Sequence, residues 1–175
     1  MWQIILLRRC GSTLFRSALL FCLAIIFLAS RSAIAEPVSA AYFGMTFVQT
    51  SLEPTSTAER ERLVMVEDRL RAQLEAAGAY TFVDIAPVSE RLAHYENPSH
   101  CNGCDTTFAE ELGAAVAISG EIQKTSNLIL HISIYVREAG TARLIGGGSA
   151  DIRSNTDESW RRGVDYIVKN RILRQ

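Results

Sequence analysis

Cys101-Asn-Gly-Cys104 is the one local pattern in this 175-residue chain whose residue types and spacing point directly at chemistry. Two thiols at this spacing can close a small disulfide ring in an oxidising compartment, exchange disulfides, or hold a soft metal. As a structural disulfide the pair closes so short a loop that it stabilises a fold by only about 2 kcal/mol on the chain-entropy model. In favour of exchange, Cys104 stands beside Asp105, which is suited to cap a short helix over Thr106 to Leu112, and a helix N-terminus lowers a thiol pKa. Against exchange, the pair does not follow a strand directly, and His100 occupies the position where a thioredoxin-type site carries a large aromatic. Covalent haem attachment needs a histidine directly after the second cysteine, and Asp105 stands there. A zinc site would have to recruit His94 and His100, whose irregular spacing makes them weak candidates.

Other groups carry less chemistry. Gly146-Gly147-Gly148 lacks the Lys-Ser/Thr of a phosphate loop and lies inside a strand pattern rather than at a strand-to-helix turn. His131 shares a strand face with Ser133, Ser149 and Asp151, yet there is no Gly-x-Ser-x-Gly elbow to build a nucleophile, so a solvated histidine is the expectation. Glu110-Glu111 and Asp157-Glu158 are adjacent on helices and point in different directions, as surface and cap residues do. No catalytic residue and no cofactor are expected.

The elements that must position these groups follow from periodicity. An apolar strand over Ala41 to Val48 leads into a Ser/Thr/Pro loop. Ser56 with Glu59 then forms a capping box, and Leu63, Val66, Leu70, Leu74 and Ala77 recur at helical spacing until Gly78. Tyr80 to Ile85 predicts a short strand, and Glu90 to Tyr95 a helical turn before the cysteine loop. From Ala114 the period changes to two, with Val116, Ile118 and Ile122 on one side and Ser119, Glu121 and Gln123 on the other. The next strand alternates without a fault: Leu128, Leu130, Ile132, Ile134 and Val136 oppose Ile129, His131, Ser133, Tyr135 and Arg137. A three-residue hairpin loop at Ala139-Gly140-Thr141 would pair Val136 with Leu144, Ile134 with Gly146 and Ile132 with Gly148, leaving grooves in which a helix settles closely. Thr156 caps a last helix with the apolar stripe Trp160, Val164, Ile167 and Ile172. The expected fold is α+β, a mixed sheet of about five strands in the order β-α-β-α-β-β-β-α, with helices on one face and the other face polar.

Residues 1–35 differ in kind from the rest. Arg8 and Arg9 precede an apolar stretch over residues 17–29, and Ala33-Ile34-Ala35 supplies a signal-peptidase pattern, so residues 1–35 are expected to be removed before Glu36. The stretch is too short for a roughly 30 Å hydrocarbon core, which argues against a stable membrane span. Cys10 follows Arg9 and Cys22 follows Phe21, so neither suits lipidation. Residues 36–175, a single domain, carry 14 basic against 19 acidic residues, a balance that excludes the electrostatic footprint of a nucleic-acid binder. The expected location is the periplasm.

Lys124-Thr-Ser-Asn-Leu-Ile-Leu130, Tyr135-Val-Arg-Glu138 and the stretch from Asp151 to Gly163, above all Asn155-Thr-Asp-Glu-Ser-Trp160, resemble an uncharacterised family of exported proteobacterial proteins carrying a domain of unknown function. The resemblance implies export and fold, and no catalytic residues. More loosely, the element order resembles the N-terminal domain of the Tol-Pal system's periplasmic propeller protein and the curli-secretion lipoprotein domain, which implies assembly with partners. The expected function is a non-enzymatic periplasmic interaction or accessory domain with a protein partner. Its expected surface comprises Gln123, Ile129, His131, Tyr135, Arg137, Asp151 and Arg153, adjoined by Trp160 and Arg161, although Trp160 opens an apolar stripe, which favours its anchoring the last helix in the core. The alternative is a thiol-disulfide redox protein or metal carrier using Cys101 and Cys104.

Overall fold

A computed structural model describes residues 36–174, so the expected export segment at 1–35 lies outside the described residues. The elements are β1 (Val38–Gln49), α1 (Thr57–Ala76), β2 (Tyr80–Phe82), a 3-10 turn (Ala86–Val88) running into α2 (Ser89–Leu92), a second 3-10 turn (Pro98–His100), α3 (Cys104–Glu111), β3 (Val116–Ser126), β4 (Ile129–Glu138), β5 (Leu144–Ile152) and α4 (Asp157–Ile167). A π turn, Val168–Ile172, extends α4. The strands form one mixed sheet in the order β2-β1-β3-β4-β5, with β1 parallel to both its neighbours and β3-β4-β5 an antiparallel meander. This is the α+β class that the alternation of periods predicts.

Both long helices begin at side-chain caps. Ser56 and Glu59 form the expected reciprocal capping box, and at α4 Thr156 does the same with Ser159. Helical spacing then places Val66, Leu70 and Leu74 of α1 and Trp160, Val164 and Ile167 of α4 in one core with Ile118, Ile122, Leu130, Ile132, Ile134 and Val136 of the sheet. Each such side chain contributes about 1.5–3 kcal/mol on full burial. Close approach is possible because Gly163 carries no side chain: a Cβ there would lie 2.7 Å from Ile132 Cδ1 and 2.9 Å from Ile152 Cγ2. Gly148 similarly seats the Arg171 stem, whose Cγ would stand 2.7 Å from an added Cβ. The small residues of β5 thus admit the last helix as expected.

The β4–β5 register differs by two residues from the one a three-residue loop would set. Val136 opposes Gly146, Ile134 opposes Gly148, Ile132 opposes Ala150 and Leu130 opposes Ile152. The loop is longer because the Glu138 N–H donates to the Arg143 carbonyl and the Ala142 N–H to that of Glu138, with Gly140 and Ala142 both left-handed at φ 73° and 56°. A bulge between Val136 and Arg137 completes the difference. A two-residue slip preserves parity, so every side chain keeps its expected face.

The second face is not polar throughout. Phe108 and Ala109 of α3, with Val88 and Cys104, pack on Ala41, Phe43 and Ala117, covering β1 and β3. β1 is apolar at both parities from Ala40 to Phe43, the pattern of a parallel strand buried on both sides. Over β4 and β5 the same face stays open. No helix among the described residues is long and apolar enough to cross a membrane.

Candidate functional site

The cysteine loop lies on the open side of the sheet. Asn97 caps the 3-10 turn by accepting the Ser99 N–H at 3.0 Å. Asn102 and Gly103 then take φ values of 58° and 94°, reversing the chain so that Cys101 and Cys104 meet in a disulfide with Cα atoms 5.4 Å apart. The cap position of α3 is Gly103, which corrects the expectation that Asp105 caps a helix starting at Thr106. Asp105 lies within the first turn and turns its buried carboxylate to the sheet. There it accepts from Arg137 Nη1 at 2.6 Å and from Ser119 Oγ at 3.2 Å.

Arg137 ties this corner together. Its Nη2 donates to the Ser99 carbonyl at 3.1 Å, and its guanidinium lies 4.5 Å from the centroid of the Tyr135 ring. His100 meets Tyr135 edge-on and lies 3.1 Å through Nε2 from Glu121 Oε1, while Asn97 Nδ2 donates to the other Glu121 oxygen at 2.8 Å. His94 is exposed on the stretch after α2. Among the described residues no group of three or more His, Cys, Asp or Glu side chains is placed to hold a metal.

Because Cys104 is buried against Phe43 and Phe108, the disulfide is built into the smaller core. Changing Cys101 and Cys104 together to Ser should lower the unfolding free energy by about 2 kcal/mol while the sheet's circular-dichroism signature persists. Catalysed insulin reduction by the unaltered chain would instead assign disulfide exchange to the pair.

The meander register lines the polar face in rows across three strands: Gln123–His131–Asp151, Glu121–Ser133–Ser149 and Ser119–Tyr135–Gly147. His131 Nδ1 lies 2.7 Å from Asp151 Oδ1, directly opposite in the ladder, whereas neither Ser133 nor Ser149 is bonded to the imidazole. No activated nucleophile is assembled there. Arg153, exposed beyond the end of β5, has no hydrogen-bonding or ionic partner among the described residues, and Ile129 beside this row is 56% exposed.

Trp160 and Arg161 do not belong to that surface. Trp160 is fully buried, stacks on Phe47 and donates its indole N–H to Asn155 Oδ1 at 2.9 Å, so the anchoring role is the observed one. Arg161 turns toward α1, with Nη1 3.2 Å from Met65 Sδ. Both follow from helical spacing, which points these residues at the sheet and at α1.

A buried charge cluster escaped the sequence reading. Lys124, at the end of β3 and 2% exposed, donates to Glu59 at 2.7 Å and to Glu53 at 3.3 Å. Asn155 donates to the same Glu59 carboxylate at 2.6 Å while accepting from Trp160, so the distinctive Asn155–Trp160 stretch is the joint between β3, α1 and α4. Burial alone would raise the Glu59 pKa, but the Lys124 ammonium, the Ser56 backbone N–H and the Asn155 amide outweigh it and hold the carboxyl at about 2. The signal was present in parity: Lys124 shares its side of the strand with Ile118 and Ile122.

Fold and site together define an α+β domain with α1 and α4 on one face of the sheet, α3 on part of the other, and a preformed polar face left over β4 and β5. A family model described as "Protein of unknown function (DUF2380)" matches residues 38–172, and the chain belongs to that family. No curated protein matches. Among solved structures the chain is similar to the LpoB C-terminal domain from Escherichia coli, at TM-score 0.50 and 12% identity over 75% of this chain and 93% of that one. Two others are the LpoB C-terminal domain from Salmonella enterica, at TM-score 0.48, 11% identity and 74% and 93% coverage, and Lipoprotein GNA1162 from Neisseria meningitidis, at 0.47, 12%, 69% and 84%. At such identity the likeness to the Escherichia coli domain is one of fold. The expected likeness to the Tol-Pal propeller domain is not supported by these matches.

Proposed function

We propose that this chain is an exported, non-enzymatic domain that docks a protein partner on the open sheet face carrying Gln123, His131, Tyr135, Asp151 and Arg153. The observation that supports this most is the set of cross-strand rows, whose members already hold one another: His131 to Asp151, and Tyr135 among Arg137, His100 and Glu121. Side chains fixed before contact lose little conformational freedom on binding, which favours recognition. The unpaired Arg153 and the exposed Ile129 add a charge and an apolar contact at the margin.

Export fits the same reading, since a compartment that sustains disulfides suits the Cys101–Cys104 bond. Purification of the tagged chain from the periplasmic fraction tests both parts. The intact mass should correspond to a chain starting at Glu36. A co-purified partner should be weakened by Tyr135→Ala and Arg153→Ala, with the melting temperature falling by no more than roughly 4 °C, the scale of one kcal/mol. A full-length chain retained in the membrane, or capture indifferent to both changes, would overturn the proposal.

A further inference from the structure

We infer that the cleft between the outer edge of β5 and α4 takes an extended, acidic segment of a partner protein as a sixth strand. This rests on the docking function proposed above and gives it a mode and a chemistry. β5 ends the sheet, and among the described residues no strand pairs with its outer side. Exposed edges are ordinarily blunted by lysine, proline, a bulge or short length, and the bulge of the β4–β5 pair lies at the Leu144 end, leaving Gly146 to Ile152 in regular register. From Leu144 to Ile152 there are nine residues, with neither lysine nor proline and with Asp151 as the single charge. The opposite edge, β2, has only three residues.

Space lies on both sides of this edge. Toward the helices, a cleft of about 590 Å³ is bounded by Ser149, Ile152, Arg153, Arg162, Gly163 and Tyr166. Toward the polar face, a depression of about 390 Å³ lies over Gly146–Gly148, where the missing side chains leave room. Strand addition needs this arrangement: main-chain bonds along the edge and sockets for alternate side chains above and below it.

Charge selects the occupant. Arg153 has no partner among the described residues, and Arg162 is held only by Glu158, at 3.4 Å in an exposed pair. Asp151, the one carboxylate of the strand, is already engaged by His131. A second copy offering its own β5 would therefore bring glycines and the single carboxylate of Asp151, already bonded to His131 through one oxygen, whereas an acidic segment supplies a carboxylate for each arginine.

The test selects displayed random octapeptides on the folded full chain. Selected peptides should lack proline, carry Asp or Glu at alternate positions, shift the amide resonances of residues 144–153, and bind about tenfold more weakly to the Arg153→Glu, Arg162→Glu variant. The milder Arg153→Gln, Arg162→Gln variant should weaken binding in the same direction and guards against misfolding. Failure to enrich any peptide, enrichment of basic or proline-rich ones, equal binding to the variants, or a dimer in sedimentation that both variants abolish would overturn the inference. If peptides fail while capture still depends on Tyr135, the strand-addition mode falls and the polar-face docking stands.

Discussion

Replacing Lys124 with Met is expected to lower the unfolding free energy by about 3–5 kcal/mol, the cost of leaving a buried carboxylate without its partner. Glu59 is 1% exposed and the ammonium 2.7 Å away is its main compensation, so water cannot substitute. Adding Glu59→Gln to Lys124→Met should recover part of the loss, because the unpaired charge is gone, while the single amide oxygen replaces only one of the two carboxylate oxygens that accept separately from the Ser56 N–H and the Asn155 amide. Urea midpoints of the two variants measure the difference. The same pair gives a pH dependence. The Glu59 pKa falls from its ordinary 4.5 to about 2 on folding, so its stabilisation is complete above about 4.5 and is lost as pH drops through 2. At about 1.4 kcal/mol per pKa unit this amounts to roughly 3 kcal/mol. Glu59→Gln should flatten the acid limb of the stability curve, and an unchanged limb would place the titration elsewhere.

Gly147→Ala is expected to destabilise by about 3 kcal/mol or more, while Gly148→Ala one residue on should cost less, about 2 kcal/mol. At Gly147 the backbone has φ 112°, and an added Cβ would overlap the Ile134 carbonyl oxygen across the ladder. Relief requires the β4–β5 pairing itself to open. At Gly148 an added Cβ would meet Arg171 Cγ at 2.7 Å and Cβ at 2.9 Å, so the last turn carrying Arg171 must shift, but the Gly148 backbone is not left-handed and the β4–β5 ladder need not open. In thermal melts the two should differ by several degrees, on the scale of roughly 4 °C per kcal/mol for a domain of this size. Equal losses would mean that the left-handed conformation at Gly147 carries no special constraint.

The elements that depend on strict periodicity were legible in the sequence. Alternation along β4 placed His131 and Tyr135 on the open face, and the Ser56–Glu59 capping box marked the start of α1. Features that depend on unusual backbone were not. The hairpin register hinges on Ala142 at φ 56°, a conformation that an alanine does not announce, so the pairing slipped by two residues while the faces held. The cover over β1 comes from an eight-residue helix too short to show a stripe, although the two-sided apolarity of Ala40 to Phe43 implied it. At the candidate site the cysteine pair and the His131–Asp151 neighbours were readable from spacing and parity. The Asp105–Arg137 bond was not, because it joins two elements whose relative position only packing determines.

The most direct measurement of polar-face docking is photo-crosslinking in cells from a reactive residue placed at Tyr135, compared with one placed at Val64. Val64 lies on α1, on the helix-covered side of the sheet, and is 57% exposed, so both sites are open to a partner. Docking on the open face predicts one discrete adduct from position 135 and none from position 64. An adduct from position 64 with nothing from position 135 would contradict it.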